Sequence, residues 1–261
     1  MYSNYKSSSR MHILIVSVMA LAGSARATLI DDFLPVDHNQ DLTFGGHSFG
    51  INSYVASFSG NMLGGERDVE IRQLTQSLGQ AAFFARYDHN GGSNDPFAYR
   101  VGALGTGNSV DNGVVTLQYD RSGDEVNNTG FGKSLRNGGT GVPLLAGTDG
   151  GIRIWGGSRL AGGRSALGRV TLRSLGNLIG QSDQAIYQND PYQPYLYPFA
   201  PNILGQADSI TIQFFAPSRG DADYSVFIDR IDTITPEPST LWVLGAAGIA
   251  LAVRRRKRSK A

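Results

Sequence analysis

Between residues 28 and 235 the chain is built from short runs of alternating side chains separated by paired glycines, and that combination restricts it to sheet. Asp68–Leu74 sets Val69 and Ile71 against Glu70 and Arg72, and Val114–Tyr119 carries Val115, Leu117 and Tyr119 on one side. Gly168–Leu175 alternates Val170 and Leu172 with Arg169, Thr171 and Arg173. Ser209–Phe215 and Tyr224–Ile231 repeat the pattern. A period of two with polar alternates marks strands that bury one face. Ala81–Arg86 and Ile152–Trp155 add shorter candidates. The doublets Gly45-Gly46, Gly64-Gly65, Gly91-Gly92, Gly138-Gly139, Gly150-Gly151, Gly156-Gly157 and Gly162-Gly163 supply turns. No capped amphipathic helix of three turns stands out, and there is neither a strict glycine period nor an internal repeat. The expectation is an all-β fold, a single antiparallel β-sandwich or jelly roll.

The two ends have a different character. Lys6 and Arg10 precede the uncharged run Ile13–Ala22, and Ala25-Arg26-Ala27 has the small-x-small form of a signal peptidase site. This predicts a signal peptide over 1–27, cleaved after Ala27. At the other end Pro236-Glu237-Pro238 leads into the apolar run Leu241–Val253 and then Arg254, Arg255, Arg256, Lys257 and Arg258. As a helix the apolar run would span roughly 20 Å, against the roughly 30 Å of a bilayer core. A buried C-terminal helix is disfavoured, because five like charges could not follow it into a core; a simple tail anchor is the alternative. The basic cluster resists translocation, so the expected topology exports the middle and leaves the tail end in the cytoplasm.

Once both ends are set aside, the overall charge of +1 is misleading. Nine of the 23 basic residues lie in the leader and tail. The stretch 28–235 keeps 14 basic and 21 acidic residues, with Lys133 its only lysine. A domain near −7 is a poor nucleic-acid binder. Without cysteine, the exported part must be held by packing alone, and some 200 residues are enough for one core.

The order Pro-Glu-Pro box, short hydrophobic helix, arginine-rich end resembles the PEP-CTERM sorting signal of exported bacterial proteins. The resemblance covers about the last 27 residues, roughly a tenth of the chain, with the signal itself expected over 236–261. It implies an inner-membrane tether before processing, recognition by an exosortase-like membrane protease, and delivery to the cell envelope or extracellular matrix. It also implies a setting in which extracellular polysaccharide is common. It assigns no activity to the central domain, expected over 28–235.

No Gly-x-Ser-x-Gly elbow, HExxH pair or Walker loop occurs. His38, His47 and His89 match no zinc spacing and read as loop residues. Asp120, Asp124 and Glu125 could furnish oxygens for a structural calcium ion, although the spacing is not that of an EF-hand and turn formation explains them more simply. Glu66 and Glu70, or Asp229 with another strand acid, could form a hydrolytic pair, but Glu70 and Arg72 read as a solvated face. The run Tyr187–Phe199 is rich in tyrosine and proline, which excludes it from a sheet interior and makes it read as a loop. Tyr187, Tyr192, Tyr195 and Tyr197, with Trp155, are the candidate glycan contacts; the competing reading buries those rings over one end of the sandwich.

The sequence therefore predicts a non-enzymatic exported protein of structural or adhesive role, with no cofactor beyond that calcium. The alternatives are a carbohydrate-binding module and a polysaccharide hydrolase or lyase.

Overall fold

The computed structural model describes residues 27–33, 42–45, 53–73, 80–87, 99–106, 113–121, 130–131, 135, 139–160, 165–187, 193–215 and 224–234. The sorting tail, Ala25, Tyr192, the three histidines, Asp124 and Glu125 lie outside them. Residues 27–234 form one compact unit.

Fourteen strands are described: β1 (Leu29–Asp31), β2 (Leu42–Gly45), β3 (Ser53–Ser59), β4 (Glu66–Gln73), β5 (Gln80–Tyr87), β6 (Tyr99–Thr106), β7 (Gly113–Tyr119), β8 (Gly130–Phe131), β9 (Gly151–Leu160), β10 (Ser165–Ser174), β11 (Asn177–Tyr187), β12 (Gln193–Pro198), β13 (Ser209–Phe215) and β14 (Tyr224–Thr233). One short helix, α1 (Pro201–Leu204), joins β12 to β13. The strands form two antiparallel sheets. The first runs β12–β9–β14–β6–β5–β2 with β1 beside β14, and the second runs β11–β10–β13–β7–β4–β3–β8.

The alternation read from the sequence sets which faces meet. Ile152 and Ile154 of β9, Val226, Ile228 and Ile231 of β14, and Tyr195 and Tyr197 of β12 project from the first sheet. They share one buried cluster with Val170 and Leu172 of β10, Ile210, Ile212 and Phe214 of β13, Val115, Leu117 and Tyr119 of β7, and Val69 and Ile71 of β4. This is sheet-on-sheet packing, a β-sandwich. Polar contacts also cross the interior. The Ser158 hydroxyl on β9 donates to the Ile186 carbonyl on β11 at 3.2 Å. The Arg67 guanidinium on β4, fully buried, reaches Asp31 on β1 at 2.7 Å. The Tyr119 hydroxyl donates to the same carboxylate at 2.9 Å.

Three expectations need correction. The tyrosine–proline run is not all loop: Gln193–Pro198 is β12, an edge strand, where the missing proline N–H groups cost no ladder bond. Its Tyr195 and Tyr197 are 3% and 0% exposed, so both rings belong to the core and offer no face to a sugar. Glu70 is not on a solvated face; it is buried on the outer side of the second sheet. Finally, the last strand does not stop near Ile231. It continues to Thr233, and Ile234 is still tied in, donating to the Gly151 carbonyl at 2.8 Å and accepting from the Gly150 N–H at 2.7 Å.

Both ends of this compact unit meet at one pole. The Thr233 N–H donates to the Thr28 carbonyl at 2.9 Å, and the Thr28 N–H to the Thr233 hydroxyl at 2.7 Å. The same pole continues through Phe199, whose N–H donates to the Gly150 carbonyl at 3.2 Å, into α1 and Ala207. It ends at the β10–β11 hairpin, where Leu175 and Gly176 both have positive φ, 50° and 78°. Two such residues in succession build the tight turn that matches strand twist. Glycine is at ease there and leucine is not. The fully buried Asp208 holds the turn, its carboxylate accepting from the Leu175 N–H at 2.8 Å and the Gly141 N–H at 2.9 Å. Leu175→Asn, which suits the conformation and keeps the N–H, is expected to stabilise the domain by about 1 kcal/mol, raising Tm by about 2–4 °C in calorimetry.

Candidate functional site

The outer face of the second sheet carries a ladder of polar side chains where packing alone would ask for none. Register places Asp183, Arg169, Gln213, Thr116 and Glu70 in one line across β11, β10, β13, β7 and β4. A second line, two residues along, holds Gln181, Thr171, Thr211, Gln118 and Asp68, and ends at Ser57 of β3. A third, on the other side of the first, contains Leu167, Phe215, Val114 and Arg72. Neighbouring strands are about 4.8 Å apart, so each line is a row of adjacent groups.

The rows are open at the β11 end and closed at β3. Asp183 is exposed, Arg169, Thr211, Gln213 and Phe215 are half-buried, and Thr116, Gln118, Asp68 and Glu70 are buried. Arg169 holds Asp183 in a two-pronged contact, with Nε–Oδ1 and Nη2–Oδ2 both 2.8 Å. The guanidinium keeps the Asp183 carboxyl below the usual carboxylate range. It also lies over the Phe215 ring, 5.1 Å from its centre. Gln213 donates to the Thr116 hydroxyl at 3.4 Å, and Ser57 to the Asp68 carboxylate.

At the closed end, burial pushes the Glu70 carboxyl above its ordinary range, with Arg72 opposing; its Oε1 has no hydrogen-bond partner among the described residues. Folding therefore takes up a proton in the window between the ordinary value and the raised one, and stability falls as pH rises through that window. Glu70→Gln is expected to raise Tm at neutral pH and to leave it nearly unchanged at the acid end of the window, a difference visible in calorimetry across pH.

The sequence candidates fall in different places. Trp155 projects from the outer face of the first sheet, opposite Pro194 and Arg230 in register. Its indole is already engaged: Arg153 and Arg230 lie over the ring, 5.0 and 5.5 Å from its centre. Asp232 braces both arginines, at 2.7 Å from Arg153 and 3.1 Å from Arg230. Tyr187 ends β11 at an edge of the second sheet. Asp120 is buried and accepts from the Gln118 amide at 2.8 Å. Among the described residues no three acids or histidines converge on a metal position. Glu66, Asp68 and Glu70 all project outward from β4, side by side along one strand. Ala27, at the expected cleavage point, is exposed just ahead of β1.

The sequence reading missed the ladder because it had no register. One local signal was available: Phe214 and Phe215 are adjacent on an alternating strand, so one ring had to face outward.

Comparison with known proteins bears on the other end of the chain. Residues 235–257 match the PEP-CTERM protein-sorting motif. The chain carries a PEP-CTERM sorting signal. It is thus an exported protein, directed to the cell envelope or the exterior, and the motif implies processing by an exosortase-like membrane protease. The PEP-CTERM match begins one residue after Ile234, the last of the described residues tied into the sheet.

No curated protein matches the chain. Among solved structures, it is similar to the family 11 carbohydrate-binding module of the cellulosomal cellulase Lic26A-Cel5E of Clostridium thermocellum, at 12% identity over 82% of this chain and 97% of that one, with a TM-score of 0.35. It is also similar to TmCBM61, solved with β-1,4-galactotriose, at 9% identity over 81% of this chain and 100% of that one, TM-score 0.34. A third is the enzymatically active domain of tailspike protein 4 of bacteriophage CBA120, at 8% identity over 79% of this chain and 21% of that one, TM-score 0.33. At these scores the likeness carries no argument about function.

Proposed function

We propose that the exported sandwich is a non-enzymatic, adhesive domain that holds extracellular polysaccharide on the outer face of its second sheet. The observation that carries this reading is the ladder itself, with Arg169, Asp183, Gln213 and Thr211 set beside the Phe215 ring. Amides, hydroxyls and an arginine–carboxylate pair offer donors and acceptors together, which is what sugar hydroxyls require. The half-buried Phe215 ring, with Arg169 over it, adds apolar surface beside these polar groups. The rigid sheet fixes these groups before any ligand arrives, which lowers the ordering cost of binding. Against hydrolysis stands the arrangement of the acids. Glu66, Asp68 and Glu70 line one strand, whereas a hydrolytic pair must flank the bond from two sides.

Affinity electrophoresis of the exported protein through gels containing neutral and acidic polysaccharides tests this. At least one glycan is expected to retard the protein. Arg169→Ala combined with Gln213→Ala should weaken that retardation about tenfold or more, the effect of losing one charge-assisted contact. Tyr192→Ala, run in parallel, reports separately on the tyrosine–proline segment. No retardation by any glycan, or equal retardation of the Arg169/Gln213 variant, overturns the reading.

A further inference from the structure

The pole from which the sorting tail departs has an apolar tip. Leu175 is 69% exposed and Leu178 57%, both at the β10–β11 hairpin, and Val142 beside them is 48% exposed. Gly141 packs against Leu175, since a Cβ there would meet the Leu175 Cδ2 at 2.9 Å. The exposed residues among 139–149 and 174–178 carry no charge: Asp149 and Asp208 are buried, and Arg173 turns back to donate to the Gly176 carbonyl at 3.1 Å. Leu175 also sits in the left-handed region that leucine disfavours. A strained backbone holding the most exposed large apolar side chain among the described residues is poor design for a surface in water. Strain and exposure kept together point to a use.

The tether says what meets this tip. Ile234 is hydrogen-bonded to Gly150 and Gly151, Gly150 to Phe199, and α1 leads through Ala207 to Asp208, which grips Leu175. The chain exit and the tip therefore share one pole. Six residues, or seven steps along the chain, separate Ile234 from Leu241, where the apolar run of the sorting tail starts. Fully extended they span at most about 25 Å. While the tail is in lipid, this pole cannot move far from the bilayer surface.

We propose that Leu175, Leu178 and Val142 form a lipid-contacting foot that seats the tethered precursor on the membrane before its tail is removed. Apolar side chains on a tight turn can enter the interfacial zone at less cost where a backbone donor is already paired, as the Leu175 N–H is with Asp208. The foot fixes the orientation of the domain, and with it the short stretch that leads to the protease.

The chain has no cysteine, so single reporters can be placed cleanly. Leu178→Cys and Gln181→Cys, each carrying an environment-sensitive nitrobenzoxadiazole dye, are compared in the full chain inserted through its tail into vesicles of phosphatidylethanolamine and phosphatidylglycerol. Residue 181 is exposed on the same strand, about 10 Å further from the tip. The dye at 178 is expected to brighten and to be quenched by spin-labelled lipid, and the dye at 181 much less. Adding Leu175→Asn should lower the lipid-contacting population roughly tenfold, the effect of withdrawing one leucine from lipid. Because that substitution is expected to stabilise the fold, the loss cannot be assigned to unfolding; Leu178→Gln with the dye at Val142→Cys provides an independent pair. Three results would overturn the proposal. One is a dye at 178 that ignores the lipid quencher while the protein floats with the vesicles. Another is equal quenching at 178 and 181. The third is brightening in lipid-free protein that disappears on dilution, which would assign the tip to a second copy of the chain.

Discussion

Replacing Arg67 with methionine is expected to destabilise the exported domain by about 3–5 kcal/mol, because it leaves the Asp31 carboxylate in the core without its cation. Arg67 is fully buried and Asp31 is 2% exposed, with 2.7 Å between Nη1 and Oδ2. The pair links β4 of one sheet to β1 of the other, and Arg67 also lies over the Phe33 ring, 4.9 Å from its centre. Asp31 further accepts from the Phe33 N–H at 2.9 Å, at a residue with φ of 48°. The double variant Asp31→Leu/Arg67→Met should recover much of the loss, since an apolar pair removes the desolvation cost of both ions. It should not recover all, because Phe33 and Tyr119 lose an acceptor. Urea unfolding of the four proteins in the cycle measures this. A single Arg67→Met variant within 1 kcal/mol of the parent would show that the pair contributes little.

The second large effect is expected from one methyl group. Gly156→Ala should destabilise by about 3 kcal/mol or more, because its Cβ would overlap the main-chain carbonyl oxygen of Phe227. That carbonyl belongs to β14, which pairs with β9 through an irregular register between Ile228 and Arg230. Backbone cannot step aside as a side chain can, so relief requires β9 and β14 to part. Gly180→Ala is the control. A Cβ there meets Ile203 and Phe199 side chains at 3.2 Å, and these can shift; a cost under about 1 kcal/mol is expected. Thermal unfolding of both variants checks the contrast. Similar losses would mean that β9 and β14 are more yielding than their pairing suggests.

The strands legible in the sequence were those with one apolar face. β13 was read to the residue, and β4, β7, β10 and β14 within a few, because their apolar residues recur at every second position. β3 was missed: in SYVASFS small and polar residues blur the period. β11 was missed for a different reason. Its NLIGQSDQAIY is held at the edge by pairing with β10 alone, and an edge strand need not show a buried face. β12 is hidden by Pro194 and Pro198, which mark a break in sequence and are tolerable only because the strand lies at the sheet edge. The sorting tail was legible in full, since its three parts are contiguous in sequence. The ladder on the second sheet was not, because it exists only through register across six strands. Nor was the apolar foot: Leu175 and Val142 become neighbours only when Asp208 draws their loops together.

The zipped ends have a mechanical consequence. β14 lies inside its sheet, flanked by β9 and β6, with β1 beside its last residues. Tension carried up the tether would load an interior strand along its length, so rupture must shear two ladders at once instead of peeling one bond after another. A domain that grips polymer outside the cell while anchored by its tail would yield last at the point where it is pulled.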